Sequence, residues 1–410
     1  MEHIYSSIDI GSDTIKLVVC SYNNNHLNLL SAVNTPAKGI KRGLIVNPRL
    51  ASECIKNAFD ETEQMLGIRI NKVIASVPSY FADYTVINGS TKVDEVVTNK
   101  NIVDTFKMGI KKEILPDREF VNVVPMNFVL DGSTVLKDPK GKRASNLEAR
   151  AIMVTSPKKN VYSVVSILEN LGIEIVDIST SSIGDVYSFK NDKILSNAGI
   201  MVNIGAQTTT ISLYNKGVPL LAKVINVGGI DIDKEIAYTY KVSMDEAKKI
   251  KEKFALAYYK NADVNNVYEV HNFEKKKLKI IQPDVSKIVN SKLEEILENV
   301  KEEINSLTNK LLGYIIITGG VSNLEDIEYL VQKVFIRNVS IGQIKLIGAR
   351  NNKYSTAIGN IMYFIETLKL KGRDYTMVSR NDMEILKEPD MVKNEKDTMI
   401  DKVFGYFFGE

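Results

Sequence analysis

The sequence has few of the residues that mark disulfide-stapled, zinc-binding or membrane-spanning proteins. It contains two cysteines, three histidines and no tryptophan in 410 residues. Cys20 and Cys54 lie far apart within apolar segments, which indicates reduced core residues rather than a disulfide or a metal pair. Three histidines without cysteine partners argue against a zinc site. No apolar run is long enough to span a bilayer and no signal peptide is evident, so we expect an intracellular protein, soluble or peripheral.

An excess of charge of one sign is also missing. The chain has 53 Lys and Arg against 50 Asp and Glu, which gives no argument for nucleic acid as a partner. Hydrophobic residues make up 44% of the chain, enough for more than one packed core.

Apolar periodicity and turn residues predict an α/β protein. Predicted strands cover Ile4–Ile10, Thr14–Tyr22, Leu27–Val33, Lys72–Val77, Ile173–Ile178 and Tyr314–Thr318. One predicted helix begins at Asn47-Pro48. The other predicted helices cover Asn101–Glu113, 161–171, Ser286–Asn309 and Thr356–Leu368. Residues 84–162 read as a separate small α/β unit with a strand pair around Phe120–Leu130 and a charged loop, Lys137–Arg143. Residues 371–396 are polar and charged, which is typical of a flexible linker.

One segment near the N-terminus recurs in the second half of the chain. The run Ile8-Asp9-Ile10-Gly11-Ser12-Asp13-Thr14 is echoed by Val202-Asn203-Ile204-Gly205-Ala206-Gln207-Thr208. Both copies predict a strand, a glycine turn and a second strand rich in hydroxyl groups. Such an echo indicates duplicated halves, although short segments of this kind also recur by chance.

Three turns have the composition of phosphate-binding loops. The first turn is Gly11–Thr14, the second turn is Gly205–Thr209 and the third turn is Thr318–Val321. Glycine permits close backbone approach, and exposed N–H groups and hydroxyls donate to phosphate oxygens. Singly, each turn fits an ordinary hairpin or strand-to-helix connection. The three in this order favour a nucleotide cleft, and the chain has no P-loop motif. Asp9 could hold hydrated Mg²⁺ through water, and Lys16 could neutralise phosphate charge.

The chain resembles the FtsA family of actin-like proteins over nearly its whole length. The resemblance is carried by Ile8–Ser12, Lys38–Ile45, Leu115–Arg118 leading to Val124-Pro125, Val227–Gly229 with Asp233, and Ile317–Gly320. It implies the actin-like two-lobed fold, with duplicated ribonuclease-H-like halves and the inserted subdomain 1C. The implied subdomains are 1A (1–83 and 163–195), 1C (84–162), 2A (196–230 and 313–370) and 2B (231–312), before the linker (371–396) and a terminal helix (397–410).

The resemblance also implies ATP and Mg²⁺ as cofactors. The candidate nucleotide-binding residues are Asp9, Gly11, Ser12, Asp13, Thr14, Lys16, Asn203, Gly205, Ala206, Gln207, Thr208, Thr209, Gly228, Gly229, Lys248, Lys251, Gly319, Gly320 and Val321. Two of them depart from the family pattern. Asn203 stands where the family usually has Asp, and Lys248 stands where it usually has a Glu facing the ribose. Phosphoryl transfer needs positioned water and metal, so we expect ATP binding with slow or absent hydrolysis rather than an active enzyme.

The last residues predict an amphipathic helix. Met399, Ile400, Val403, Phe404, Phe407 and Phe408 fall on one helical face. Such a helix either docks on its own domain or lies in a bilayer interface. The preceding linker and the two aromatic pairs favour membrane binding, supported mainly by the aromatic face because Lys402 is the single cation there.

The family resemblance implies a cell division protein that polymerises with its own copies, binds other division proteins, and tethers the C-terminal tail of FtsZ to the cytoplasmic face of the membrane at the septum. By this resemblance Lys292, Glu295 and Asn299 form the partner surface; a solvated helix face is the alternative. A PilM-like scaffold of pilus assembly and an actin-fold ATPase or kinase are the competing functions, against which the terminal helix and Asn203 argue.

Overall fold

The computed structural model describes residues 2–110, 114–336 and 338–387. The first part of the chain forms β1 (His3–Ile10), β2 (Thr14–Asn23), β3 (His26–Pro36), β4 (Ile40–Lys41), β5 (Leu44–Ile45), α1 (Pro48–Leu66) and β6 (Lys72–Val77). Helix α1 begins where sequence predicts, because the Asn47 side chain accepts a hydrogen bond from the Leu50 N–H at 3.2 Å and Pro48 occupies the first turn. It ends at Gly67, in the left-handed conformation.

The inserted unit forms a separate sheet. Its elements are β7 (Asp83–Lys92), α2 (Asn99–Ile110), β8 (Arg118–Leu130), β9 (Thr134–Leu136) and β10 (Asn146–Pro157). The strand order is β7-β10-β8-β9, and α2 packs over the sheet around its own apolar core, which includes Ile102, Phe106 and Phe128. The predicted strand pair around Phe120–Leu130 corresponds to β8, which covers the whole of that range, and β9, with which it pairs antiparallel; β8 also has two register shifts against β10.

The chain then completes the first lobe and builds a second. The elements are α3 (Lys158–Asn170), β11 (Glu174–Thr180), α4 (Ser181–Phe189), α5 (Asp192–Ser196), β12 (Ala198–Ile204), β13 (Thr209–Asn215), β14 (Val218–Ile225), α6 (Gly229–Tyr240), α7 (Met244–Lys253), β15 (Val267–His271), β16 (Lys277–Ile281), α8 (Gln282–Leu307), β17 (Tyr314–Thr318), α9 (Ile327–Phe335), β18 (Val339–Ile341), α10 (Ser355–Lys371) and α11 (Arg380–Lys387).

The two lobes are built on sheets of the same topology. The first lobe has the order β3-β2-β1-β6-β11 and the second has β14-β13-β12-β17-β18. In each sheet the first three strands pair antiparallel and the last two add in parallel. The echo seen in the sequence therefore marks equivalent strands, β1 and β12, in duplicated halves.

Helices α4 and α10 cross closely at two glycines. A Cβ atom on Gly359 would lie 1.6 Å from the carbonyl oxygen of Gly184, so no side chain fits at this crossing. Helix α4 contacts strands of both lobes, and Ser181 and Thr356, at the starts of α4 and α10, line the cleft between the lobes.

The described part of the predicted linker, residues 372–387, is folded. Met377 and Val378 are buried, and the Met377 N–H donates to the Ile4 carbonyl at 2.9 Å. Ser379 then accepts from the Asp382 N–H at 3.2 Å and starts α11. These few apolar and capping residues, within a polar stretch, explain the difference from the prediction. Among the described residues, no helix has the length and apolarity needed to cross a bilayer.

Candidate functional site

A cleft of about 580 Å³ lies between the two lobes, and turns from both lobes line it. The first turn (Gly11–Thr14) connects β1 to β2, the second turn (Gly205–Thr209) connects β12 to β13, and the third turn (Thr318–Val321) follows β17. The structure therefore brings together residues that are far apart in sequence. All of the candidate nucleotide-binding residues line this cleft except Thr209 and Gly228.

The first turn requires glycine. The Gly11 N–H donates to the Thr14 carbonyl at 3.1 Å, and a Cβ on Gly11 would lie 2.8 Å from that backbone oxygen. Strand pairing sets Asp9 opposite Lys16, whose Nζ lies 3.3 Å from Asp9 Oδ2. A carboxylate and an ammonium group therefore face the same end of the cleft.

The second turn is packed against the N-terminus of α6. The N–H groups of Gly229 and Ile230 donate to the carbonyls of Gly205 and Ala206 at 2.9 and 2.8 Å. Thr209 and Gly228 hold the second turn against α6 and do not line the cleft. The buried Thr209 hydroxyl donates to the Val227 carbonyl at 2.9 Å, and a Cβ on Gly228 would lie 2.6 Å from the Gly205 oxygen.

The third turn approaches the second through Gly319. This residue has a φ of 87°, and a Cβ there would lie 2.4 Å from Oδ1 of Asn203. Asn203 is fixed from behind by Asp185 on α4, which accepts from Asn203 Nδ2 at 2.8 Å. Burial raises the pKa of Asp185 to about 6, although hydrogen bonds from Asn203 and Ser355 act in the opposite direction.

Helix α7 contributes two lysines with different roles. Lys248 crosses the cleft, with Nζ 2.6 Å from Oδ2 of Asp13 in the first turn. Lys251 is buried, with Nζ 2.7 Å from Asp233 Oδ1 and donating to the Gly229 carbonyl at 3.1 Å. The contact between Lys251 and Asp233 is a close ion pair rather than a well-aligned hydrogen bond. Lys248 therefore faces the cleft, and Lys251 supports the second turn.

Several cleft residues are not among the candidates predicted from the sequence. They are Arg42, Tyr80, Glu252, Asn323, Asn352 and Lys353. Lys248 occupies the position on α7 at which the family pattern predicts a Glu. Glu252, one turn further along the same helix, places a carboxylate in the cleft lining instead. Burial, followed by the positive charge of Lys16, lowers the pKa of Lys353. The spacing of charges along α7 could have indicated Glu252; the others are set by tertiary packing.

The chemistry of the lining fits a phosphorylated ligand. Glycine-rich turns, hydroxyl side chains and Lys16, Lys248 and Lys353 line the cleft, and the N–H groups of such turns, hydroxyls and ammonium groups are phosphate donors. Within residues 2–110, 114–336 and 338–387, no group of three His, Cys, Asp or Glu side chains could cage a metal. Asp9 offers one carboxylate, which fits Mg²⁺ held mainly by water and phosphate.

The residues predicted for partner and membrane binding lie elsewhere. Lys292, Glu295 and Asn299 lie on α8, where Lys292 Nζ donates to Glu295 Oε2 at 3.0 Å and lies 4.0 Å from Glu235 on α6. The predicted membrane residues, Met399 to Phe408, lie outside the described residues.

Two lobes with matched sheets, joined at crossing helices and facing a cleft of turns, define a protein of the actin-like fold. Solved structures agree. The chain aligns with a PilM-PilN type IV pilus biogenesis complex at a TM-score of 0.60 and 14% identity, covering 88% of this chain and 98% of that one. It aligns with MreB5 of Spiroplasma citri bound to ADP at a TM-score of 0.54 and 14% identity, covering 90% of this chain and 97% of that one.

Sequence comparisons identify the family within this class. A family model described as cell division protein FtsA matches residues 200–359, and one described as the SHS2 domain inserted in FtsA matches 83–155. FtsA of Bacillus subtilis (strain 168) is 29% identical over 377 residues, covering 90% of this chain and 85% of the relative. FtsA of Staphylococcus epidermidis (strain ATCC 12228) is 27% identical over 407 residues, covering 97% and 86%. The chain belongs to the FtsA family of cell division proteins.

Proposed function

We propose that this protein binds ATP with Mg²⁺ in the cleft, assembles with its own copies, and tethers FtsZ filaments to the cytoplasmic membrane at the division septum. The observation that carries the proposal is the cleft itself, which glycine-rich turns and lysines of both lobes line. Nucleotide bound there would contact both lobes, so binding energy would favour their closure.

The nucleotide part of the proposal rests on charge and geometry. Lys16 from the first lobe and Lys248 from the second reach the same cleft as the first two turns, and together they would neutralise phosphate charge. MreB5, which shares the fold, has been solved bound to ADP and to AMPPNP. Mg²⁺ would neutralise phosphate oxygens, with Asp9 holding its water. Asn203 offers no carboxylate to activate water, so we infer that hydrolysis is slow or absent.

The tethering part rests on the C-terminal sequence and the family. The six apolar side chains between Met399 and Phe408 would lie in the bilayer interface, and Lys292, Glu295 and Asn299 on α8 would contact the acidic FtsZ tail.

Liposome co-sedimentation of FtsZ tests the tethering proposal. FtsZ filaments are mixed with vesicles and either the full chain or residues 1–396. We expect FtsZ to sediment with vesicles only when the full chain is present. Equal recruitment by the truncated chain, or none by the full chain, would contradict the proposal.

A further inference from the structure

The buried carboxylate of Asp185 lies behind the cleft, where it accepts a hydrogen bond from the cleft residue Asn203. Asp185 on α4 is 2% exposed and is surrounded by three donors. Asn203 Nδ2 donates to its Oδ2 at 2.8 Å, while the Ser355 and Thr356 hydroxyls donate to its Oδ1 at 2.7 and 3.2 Å. Each oxygen of this carboxylate therefore has its own set of partners.

This arrangement fixes which edge of the Asn203 amide faces the cleft. An ionised carboxylate can only accept hydrogen bonds, so the NH₂ group of Asn203 points to Asp185. The amide oxygen then lies on the other side, next to Gly319, where only the absence of a Cβ atom leaves room for it. Asn203 and Gly319 both line the cleft.

We propose that Asp185 is a positioning residue for the candidate nucleotide site, which turns the oxygen of the Asn203 amide, and not its NH₂ group, toward the bound ligand. This inference rests on the proposed function. An amide oxygen accepts hydrogen bonds from water that surrounds Mg²⁺, whereas it repels the oxygens of a bare phosphate, because neither atom carries a hydrogen. Asp185 thereby makes nucleotide affinity depend on Mg²⁺.

The arrangement also accounts for the amide at position 203. A carboxylate there would have no hydrogen to donate to Asp185 and would face it as a second negative charge. The amide supplies the donor on that side and leaves its oxygen on the other.

The substitution Asp185→Asn tests this role of Asp185. The hydroxyls of Ser355 and Thr356 determine how the introduced amide is oriented. Ser355 and Thr356 both donate to Oδ1, so the introduced amide keeps its oxygen there and its NH₂ group replaces Oδ2. That group donates to Asn203 and forces the Asn203 amide to turn over. Its NH₂ group then faces the cleft, where it donates directly to phosphate.

The measurement is the dissociation constant of ATP for the full chain, in Mg²⁺ and in EDTA. We divide the dissociation constant in EDTA by the dissociation constant in Mg²⁺. For Asp185→Asn we expect this ratio to be about tenfold lower than for the unaltered chain. Ser355→Ala is the matched control: it removes a donor to the same carboxylate without touching Asn203, so it should lower the melting temperature and leave the ratio unchanged.

The double substitution Asp185→Asn with Asn203→Asp separates positioning from a merely structural role. The amide at position 185 then donates to a carboxylate at position 203, whose second oxygen faces the cleft, so the Mg²⁺ dependence should return. An unchanged ratio in Asp185→Asn, or a double variant with a ratio still about tenfold reduced, overturns the inference while the proposed ATP binding stands. If the unaltered chain binds ATP in neither condition, the proposed function fails and this inference with it.

Discussion

Lys248 on α7 of the second lobe lies 2.6 Å from Asp13 in the first turn of the first lobe, Nζ to Oδ2. The pair spans the cleft, so it joins the two lobes where a nucleotide would enter. Both side chains are about one-third exposed, and exposed pairs of this kind contribute about 0.2–1 kcal/mol.

The first prediction concerns this pair. In Lys248→Ala the lobes lose one contact across the cleft and the bound phosphates lose one ammonium group, so we expect a fluorescent ATP analogue to dissociate at least about two- to fivefold faster, with little change in melting temperature. Lys249→Ala is the control, because Lys249 pairs with Glu246 on the same helix, Nζ to Oε2 at 3.3 Å. Equal dissociation rates for the two variants would contradict a role for Lys248 in closure.

The second prediction concerns the buried pair of Lys251 and Asp233. Burial already raises the pKa of Asp233, although the charge of Lys251 lowers it. Lys251→Met leaves that carboxylate buried and unpaired, so we expect the free energy of unfolding to fall by about 3–5 kcal/mol in urea titration. Removing both partners, in Lys251→Met with Asp233→Leu, should recover most of the loss. A double variant as unstable as the single one would show that the loss arises from packing.

The third prediction concerns the pH dependence of stability. Burial raises the pKa of Asp177 from 3.8 to about 6, and Lys371 only partly opposes this. Between these values the folded chain holds a proton that the unfolded chain releases. The contribution of this carboxyl to the free energy of unfolding is therefore greatest at low pH and declines as pH rises through 6.

The amide introduced by Asp177→Asn is neutral, so its burial does not require the desolvation of a charge. We expect this substitution to raise the free energy of unfolding by about 1–3 kcal/mol at pH 8 and by almost nothing at pH 4. Asp94→Asn, at an exposed position, should change it by less than about 0.5 kcal/mol at either pH. A gain from Asp177→Asn that is the same at both pH values would argue against burial of the charge as its cause.

The sequence predicted the fold where the pattern is local. The strands on either side of the first and second turns were predicted because apolar strands flank glycine turns, and the paired sheets confirm the duplication. The segment 372–387 was predicted wrongly because Met377 and Val378 are isolated apolar residues in a polar stretch. Their burial depends on β1, more than 370 residues away.

The site was only partly predictable for the same reason. Its glycines and hydroxyls form recognisable turns, whereas Asp185 is an isolated acid within an apolar helix and has no motif. Its contact with Asn203 exists only because α4 passes behind β12. The pairing of Lys248 with Asp13 likewise depends on the closeness of two lobes, which periodicity cannot indicate.

The fourth prediction concerns the terminal helix. Phe404→Glu places a charge in the middle of the apolar face, and burial of a phenylalanine contributes about 1.5–3 kcal/mol. We expect this variant of the full chain to remain in the supernatant when vesicles sediment. Thr398→Glu places the same charge on the opposite face of the predicted helix, so this variant should sediment as the unaltered chain does. Co-sedimentation of Phe404→Glu would place the anchor elsewhere.

The fifth prediction concerns the partner surface on α8. Lys292→Glu reverses the charge offered to an acidic residue of the proposed FtsZ tail, so we expect the affinity for a tail peptide to fall by about tenfold or more. Lys301→Glu is the control, because a residue nine positions further lies half a turn around the helix. If the affinity is unchanged in Lys292→Glu, or falls equally in both variants, this surface does not bind the tail.

A crystal structure of the full chain grown with AMPPNP and Mg²⁺ tests the central claim most directly. We predict that the triphosphate lies between the first turn, Gly11–Thr14, and the second turn, Gly205–Thr209, with Lys16 and Lys248 beside it. Nucleotide bound outside this cleft, or contacting the turns of one lobe alone, would contradict the account.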